Sequence, residues 1–190
     1  EAMALLAGDA LLTRAFEVML CDETIKLVGA EAAAMAAGCL ARSIGVLGMI
    51  GGQVIDLESE GKNLTQVALD KMHSLKTGAL ITAAAKIGCI AAQANKNEIL
   101  AAQSYANSIG LAFQIMDDIL DVTSTSDELG KNVGSDLAAQ KSTYVSCMGI
   151  EKSKRTVLQL TENAIKSLKV FGDKKEFLQI FAQDLSKRKR

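Results

Sequence analysis

The chain has 190 residues, of which 49% are hydrophobic, and its formal net charge is −1. This size and apolar content exclude a disordered chain, and the near-zero charge gives no reason to expect nucleic acid as a partner. Proline is absent, so the composition predicts an all-α fold. The four cysteines are widely spaced without a CxxC pair, which argues against a zinc site and favours a reducing, cytoplasmic location.

Helical periodicity covers most of the chain, and glycine and polar residues mark the predicted boundaries. The predicted helices occupy residues 2–20, 22–41 and 43–59, a short segment from 65 leading into a long one that ends at 94, and the longest helix from 96 to 122. A polar loop over 123–135 and two or three further helices, broken near Gly149 and Gly172, complete the chain. We predict one domain over residues 1–190, built as a multi-helix bundle.

Two features along these helices affect the choice of function. His73 is the only histidine, and we predict that it lies on an exposed face and is not a catalytic base. The longest uncharged run, Ile99 to Met116, contains polar side chains that a lipid bilayer would not accommodate, namely Gln103, Ser104, Asn107, Ser108 and Gln114. We therefore predict no membrane span.

Three carboxylates, Asp117, Asp118 and Asp121, follow an otherwise apolar helical segment. Residues three and four positions apart share a helix face, so the three cluster within about one turn. Such a cluster is costly beside an apolar core unless a divalent cation or lysines compensate it. Magnesium binds through a few carboxylates, waters and substrate phosphates, so the cluster predicts a metal–diphosphate site. A helix that emerges into solvent is the alternative.

Other motifs flank this cluster. They are Gly51-Gly52-Gln53-Val54-Ile55-Asp56, Lys76-Thr77-Gly78, Phe113-Gln114, Gly130-Lys131-Asn132-Val133-Gly134-Ser135-Asp136 and Gln140-Lys141-Ser142-Thr143. Together they resemble the motifs of the trans-isoprenyl diphosphate synthases. That family's second aspartate-rich motif, FQxxDDxxD, is matched in full from Phe113 to Asp121. The resemblance covers essentially the whole chain, and among members of the family it is closest to the bacterial farnesyl diphosphate synthases.

The resemblance implies an isoprenoid-synthase bundle and a magnesium-dependent prenyltransferase. Such an enzyme condenses isopentenyl diphosphate with an allylic diphosphate, dimethylallyl or geranyl, to give farnesyl diphosphate. Three alternatives remain open: a geranylgeranyl diphosphate synthase, a terpene cyclase, and a non-catalytic subunit of a prenyltransferase. The family also implies a homodimer.

The resemblance assigns roles to eleven residues. Metal binding would involve Asp117 directly, and Asp118 and Asp121 through metal-bound waters. The catalytic residues would be Lys76, Thr77, Gln114 and Lys131, and the substrate-binding residues would be Gln53, Asp56, Phe113 and Lys141. A pair between Asp56 and Lys62 is the structural alternative for Asp56, and hydrogen bonds within the bundle are the alternative for Thr77 and Gln114. The basic residues 187–190 are interpreted as a solvated helix end or as a diphosphate contact.

One departure from the family is large. The first aspartate-rich motif and its arginine pair are absent, and the chain begins at Glu1 inside a helical pattern. We therefore expect the N-terminal helices, with half of the metal site, to precede Glu1, and we expect the 190 residues alone to be inactive. The residues that would set product length belong to the same missing part.

Overall fold

The computed structural model describes residues 1–123 and 142–188. Its α-helices are α1 (Ala2–Leu20), α2 (Asp22–Val28), α3 (Ala30–Ile44), α4 (Met49–Glu58), α5 (Gln66–His73), α6 (Ala79–Ala91), α7 (Lys96–Thr123), α8 (Tyr144–Met148), α9 (Ile150–Ser167) and α10 (Glu176–Leu185). A π-helical turn, Ser74–Gly78, joins α5 to α6, and a 3₁₀ segment, Leu168–Lys175, joins α9 to α10. No strand occurs in the described ranges, so the all-α prediction is confirmed.

The helix α7 is the centre of the bundle. It packs most extensively against α9 and also against α6, the π turn and the 3₁₀ segment. Its buried residues include Tyr105, Ile109 and Ile115, which join Val157 and Leu168 in one hydrophobic cluster. The longest predicted helix is therefore the core helix, and its C-terminal end carries the three carboxylates into contact with that core.

Several boundaries differ from the prediction for local backbone reasons. The predicted helix over 22–41 is divided at Gly29, whose φ of 90° lies in the left-handed region. The next predicted helix starts only at Met49, because residues 45–48 form a turn. Thr65 caps α5 by accepting a hydrogen bond from the Ala68 amide at 3.3 Å, as its type allows.

The surface includes long apolar helices. The helix α1 has no buried residue within the described part of the chain. Two helical stretches, Ala30–Glu58 and Gln66–Ala91, are long and apolar enough to cross a membrane. A turn at 45–48 interrupts the first, and the second contains the π turn with Lys76. Core helices of soluble proteins meet the same criterion, so the absence of a membrane span stays a prediction.

Small residues bring the π turn very close to two helices. A Cβ atom placed on Gly52 of α4 would lie 2.1 Å from the backbone nitrogen of Lys76. A Cβ atom on Gly110 of α7 would lie 3.3 Å from the Cα atom of Gly78. Because real side chains do not tolerate the first distance, glycine at position 52 sets how the π turn is seated.

His73 is buried, with 8% of its surface exposed, so the prediction of an exposed face is wrong. Its ring stacks on Tyr144 at 5.5 Å, and among the described residues neither ring nitrogen has a hydrogen-bond partner of normal geometry. Burial and the neighbouring Lys76 ammonium lower the pKa of His73 to about 4, and Asp56, Gln114 and Asp70 oppose that shift only in part. The imidazole is therefore neutral near pH 7.

The seating of the π turn predicts a glycine-specific effect. We expect Gly52→Ala to lower the free energy of unfolding by about 2 kcal/mol or more, because the backbone of Lys76 must move. Gly88→Ala on α6 is the matched control, since a Cβ atom there meets nothing within 4 Å. That control should be neutral or stabilising by up to about 1 kcal/mol. Urea unfolding of both variants checks this, and equal effects would contradict the close approach.

The neutral imidazole predicts a pH dependence of stability. The ordinary pKa of 6.5 falls to about 4 on folding, so between these values the unfolded chain binds more protons. The contribution of neutral His73 to the free energy of unfolding is complete above pH 6.5. It is lost as pH falls towards 4, by about 3 kcal/mol in total. Urea unfolding at pH 7 and pH 4.5 should show a smaller loss for His73→Phe than for the unchanged protein. Identical losses would mean that His73 is not responsible.

Candidate active site

The three carboxylates lie on the last turns of α7 and differ in exposure. The Asp117 side chain is 41% exposed, whereas Asp118 and Asp121 are 6% and 2% exposed as residues. Because buried carboxylates require compensation, the environment of each decides what it can bind. Asp117 is the member of the cluster that faces outward.

Asp117 forms an ion pair with Arg188, close to the C-terminus. The same guanidinium group donates to the carbonyl oxygen of Phe113 at 3.3 Å and lies 4.1 Å from the centre of the Phe113 ring. Only 21% of the Arg188 side chain is exposed, so the interpretation of the C-terminus as a solvated helix end is wrong for this residue. The outer carboxylate therefore already accepts a cation.

Asp118 is held by a different part of the chain, at the start of α8. Its Oδ2 atom accepts a hydrogen bond from the backbone N–H of Tyr144 at 2.7 Å. The Tyr144 hydroxyl in turn donates to Oδ1 of Asp70 on α5 at 2.6 Å. Burial and the Asp70 carboxylate raise the pKa of Tyr144, so the phenol remains a hydrogen-bond donor. This backbone contact was not predicted from the sequence.

Lys76 lies on the π turn, and its ammonium group donates to Oδ2 of Asp56 at 2.7 Å. The side chains are 28% and 14% exposed, so the pair is partly shielded from water. The Lys62 ammonium, the alternative partner for Asp56, donates instead to the carbonyl oxygen of Glu58 at 2.6 Å. An ammonium group has three donors, so Lys76 can hold Asp56 and also donate to a phosphate.

The remaining predicted residues are distributed as follows. Thr77, on the π turn, and Gln114, on α7, are partly buried, and Gln53 of α4 is exposed. Gln114, Asp56 and Lys76 all influence the pKa of His73, so these parts of α4, the π turn and α7 converge around that ring. The structure thus gathers Gln114, Asp56 and Lys76 around a neutral histidine that was predicted to lie on an exposed face.

Two predicted lysines, Lys131 and Lys141, lie outside the described residues, as does the whole of the segment 130–136. Three residues that matter at the site, Tyr144, Asp70 and His73, were not selected from the sequence. Nothing local marks Asp70 as a partner of Tyr144, because 74 positions separate them. A tyrosine directly after the Lys141-Ser142-Thr143 motif is the only sequence signal, in a chain with two tyrosines.

The carboxylates fit magnesium by their chemistry. Within 1–123 and 142–188, no group of three or more histidine, cysteine or acidic side chains is close enough to enclose a metal ion. Magnesium rarely needs such a cage, because it keeps several waters and binds through one or two carboxylates and substrate phosphates. The guanidinium on Asp117 demonstrates that positive charge is accepted at this carboxylate.

Comparisons with known proteins identify relatives of this chain. The heterodimeric geranylgeranyl pyrophosphate synthase large subunit 1, chloroplastic, of Arabidopsis thaliana is 43% identical over 178 residues, covering 92% of this chain and 48% of the relative. The farnesyl diphosphate synthase of Escherichia coli (strain K12) is 40% identical over 174 residues, covering 91% of this chain and 58% of the relative.

Solved structures share the fold as well. The geranyltransferase from Helicobacter pylori, in a crystal complexed with magnesium and isoprenyl diphosphate, superposes with a TM-score of 0.80 at 30% identity, covering 97% of this chain and 59% of that one. This chain thus spans between 48% and 59% of the lengths of these three proteins. The profile of the polyprenyl synthetase family matches residues 1–183. With nearly its whole length matched, the chain belongs to the polyprenyl synthetase family.

Proposed function

We propose that the protein containing this chain is a magnesium-dependent trans-prenyltransferase that joins an allylic diphosphate to isopentenyl diphosphate. The observation that supports it most is the packing of the π turn, which includes Lys76, against α7, the helix that carries Asp117, Asp118 and Asp121 (the acidic turn). The π turn with Lys76 packs on α7 at Gly110, seven residues before Asp117. Seven residues of α-helix span roughly 10 Å, which suits a diphosphate and its counter-ions.

The chain's own residues would divide the work as follows. Lys76 donates to the diphosphate and keeps its bond to Asp56, which fixes the direction of the ammonium group. Thr77 and Gln114 present oxygen lone pairs towards the C1 atom of the allylic substrate as it becomes cationic. Phe113 packs against isopentenyl diphosphate, and Gln53 reaches the site from α4. Lys131 and Lys141 would add donors to the same diphosphate.

Asp117 would bind magnesium directly, and Asp118 and Asp121 would bind through metal-bound waters. Bound magnesium would supply Lewis-acid stabilisation of the diphosphate leaving group. The Helicobacter pylori structure, which contains magnesium and isoprenyl diphosphate, supports this cofactor for the family. Arg188 must then leave Asp117 or share it with the metal ion.

Farnesyl diphosphate is the proposed product, and geranylgeranyl diphosphate is the alternative. Relatives of both kinds match at similar identity, 40% and 43%, so identity does not separate them. The complete protein, incubated with geranyl diphosphate, labelled isopentenyl diphosphate and magnesium, should accumulate a C15 diphosphate. A C20 end product would select the alternative, and cyclic hydrocarbons would select a terpene cyclase.

The length of the relatives supports a second part of the proposal. This chain spans 58% of the Escherichia coli enzyme, and it has a single acidic cluster of this kind. We propose that the complete protein supplies a facing acidic cluster and that the 190 residues alone do not catalyse the reaction.

We also propose that the protein acts in the cytoplasm as a homodimer. The exposed apolar side chains of α1 are consistent with a helix-packed interface. A relative described as a heterodimeric subunit makes a hetero-oligomer, or a non-catalytic role, the alternative.

Asp117 provides the sharpest test of the metal assignment. In the complete protein we expect Asp117→Ala and Asp117→Asn to reduce kcat about a thousandfold, because a metal ligand is worth several kcal/mol at the transition state. Asp184→Ala, which changes an exposed aspartate of α10, is the matched control and should keep full activity. More than a tenth of the normal rate in the Asp117→Asn enzyme at saturating magnesium would refute the assignment.

Comparing substitutions at Lys76 and Lys62 tests whether Lys76 contacts the diphosphate, because Lys62 is an ordinary surface lysine. We expect Lys76→Ala to reduce kcat/KM for the allylic substrate by roughly ten- to a hundredfold, since hydrogen bonds to charged groups are worth about 1.5–3 kcal/mol. Lys62→Ala removes an exposed ammonium bonded only to a backbone carbonyl among the described residues, and should change kcat/KM less than about threefold. Equal effects of the two substitutions would show that the allylic diphosphate does not bind at Lys76.

A further inference from the structure

Tyr144 links three parts of the bundle at the acidic turn. Its side chain is completely buried. Its hydroxyl is bonded to Asp70 of α5, its ring is stacked on His73, and its backbone N–H is bonded to Asp118 of α7. A single residue thus joins a carboxylate of the acidic turn to a helix that carries none of the proposed metal ligands.

The contact with Asp118 is the one that reaches the site. A backbone N–H cannot rotate independently of its chain, so it restrains the position of the carboxylate oxygen that it binds. A hydrogen bond from N–H to a charged carboxylate is shorter and stronger than a neutral one, and this one, at 2.7 Å and buried, is of that kind. The position of Asp118 therefore depends on where the Tyr144 backbone lies.

The Tyr144 backbone is held from several directions. Ser142 accepts a hydrogen bond from the Leu64 amide at 2.9 Å and donates to the Lys62 carbonyl at 2.9 Å. Thr143 and Ser146 form a capping box at the start of α8. The phenol bond to Asp70 and the stack on His73 then hold the Tyr144 side chain against α5. Of these contacts, the bond to Asp70 can be removed without changing the backbone or the ring.

We propose that Tyr144 is a positioning residue for the acidic turn: its phenol, tied to Asp70, holds the backbone N–H that orients Asp118 for the metal ion. The proposal rests on the proposed function in taking the acidic turn as the metal site. Partners of a metal ligand outside the coordination sphere typically contribute ten- to a hundredfold to affinity. Tyr144 would act in this way although it contacts neither metal nor substrate.

The test compares two tyrosines of the same protein. Tyr144→Phe removes the bond to Asp70, and Tyr105→Phe removes an equally buried bond, from the Tyr105 hydroxyl to the Leu178 carbonyl at 2.8 Å. Both are phenols on the same core, but Tyr105 lies three turns before the acidic turn. In the complete protein, Mn²⁺ binding followed by electron paramagnetic resonance should be weakened about tenfold by Tyr144→Phe. The Tyr105→Phe variant should bind Mn²⁺ like the unchanged protein.

A second pair of variants distinguishes positioning from general loosening of the fold. Asp70→Asn keeps an oxygen acceptor for the phenol, so its Mn²⁺ affinity should stay close to that of the unchanged protein. Asp70→Ala removes the acceptor and should weaken Mn²⁺ binding as Tyr144→Phe does. The magnesium concentration for half-maximal rate should rise by the same factor as the Mn²⁺ dissociation constant, with the KM for isopentenyl diphosphate unchanged. Thermal unfolding reports whether each variant is folded under the assay conditions.

The outcomes separate this inference from the proposed function. Unchanged Mn²⁺ affinity in folded Tyr144→Phe, or equal weakening by Tyr105→Phe, would overturn the positioning role even if Asp117→Asn abolishes turnover. Conversely, the Mn²⁺ comparison requires no turnover, so it supports or refutes the positioning role even if the reaction proves different. Absence of Mn²⁺ binding in the unchanged complete protein would overturn both.

Discussion

Charge compensation at the C-terminal end of α7 is the constraint on which the rest of the site depends. The most buried helix of the bundle carries three carboxylates within one turn, beside side chains such as Ile115 and Leu120. Carboxylates in such a setting are costly without partners. The fold supplies them from distant parts of the chain: Arg188 from beyond α10 and the Tyr144 backbone from the start of α8. The tertiary fold is therefore required before the acidic turn is stable.

The second requirement is close approach, and small residues provide it. Gly52 and Gly110 allow the π turn to touch both α4 and α7, which leaves Lys76 beside Asp56 and near His73. A larger residue at 52 would push the turn away and change where the ammonium group lies. The same crowding keeps His73 neutral, because burial disfavours its charged form and the Lys76 ammonium beside it adds to that effect. The close packing of the π turn thus sets both the position of the Lys76 ammonium and the neutral state of His73.

Much of this could be predicted from the sequence, and the exceptions have a common cause. Local signals predicted the all-α class, the core helix over 96–122, a short helix from 65 and the breaks near Gly149 and Gly172, because periodicity and glycine act over a few residues. The interruption of the predicted helix over 22–41 at Gly29 was missed, since a glycine in an apolar helical pattern does not by itself indicate a positive φ. The position of His73 and the partners of Asp118 and Asp117 were missed because they depend on contacts between residues 26 and more than 70 positions apart.

Asp117 and Asp118 also differ in the kind of partner that compensates their charge. Asp117 is 41% exposed and is paired with the Arg188 side chain, which also contacts Phe113. Asp118 is buried and bound to a backbone amide, and hydrogen bonds to charged groups are worth about 1.5–3 kcal/mol. On the proposed function, a metal ion would replace or share the guanidinium at Asp117, whereas moving Asp118 would disturb the start of α8. The proposal thus gives the two neighbouring carboxylates different roles: Asp117 would exchange Arg188 for the metal ion, and Asp118 would keep the acidic turn in place.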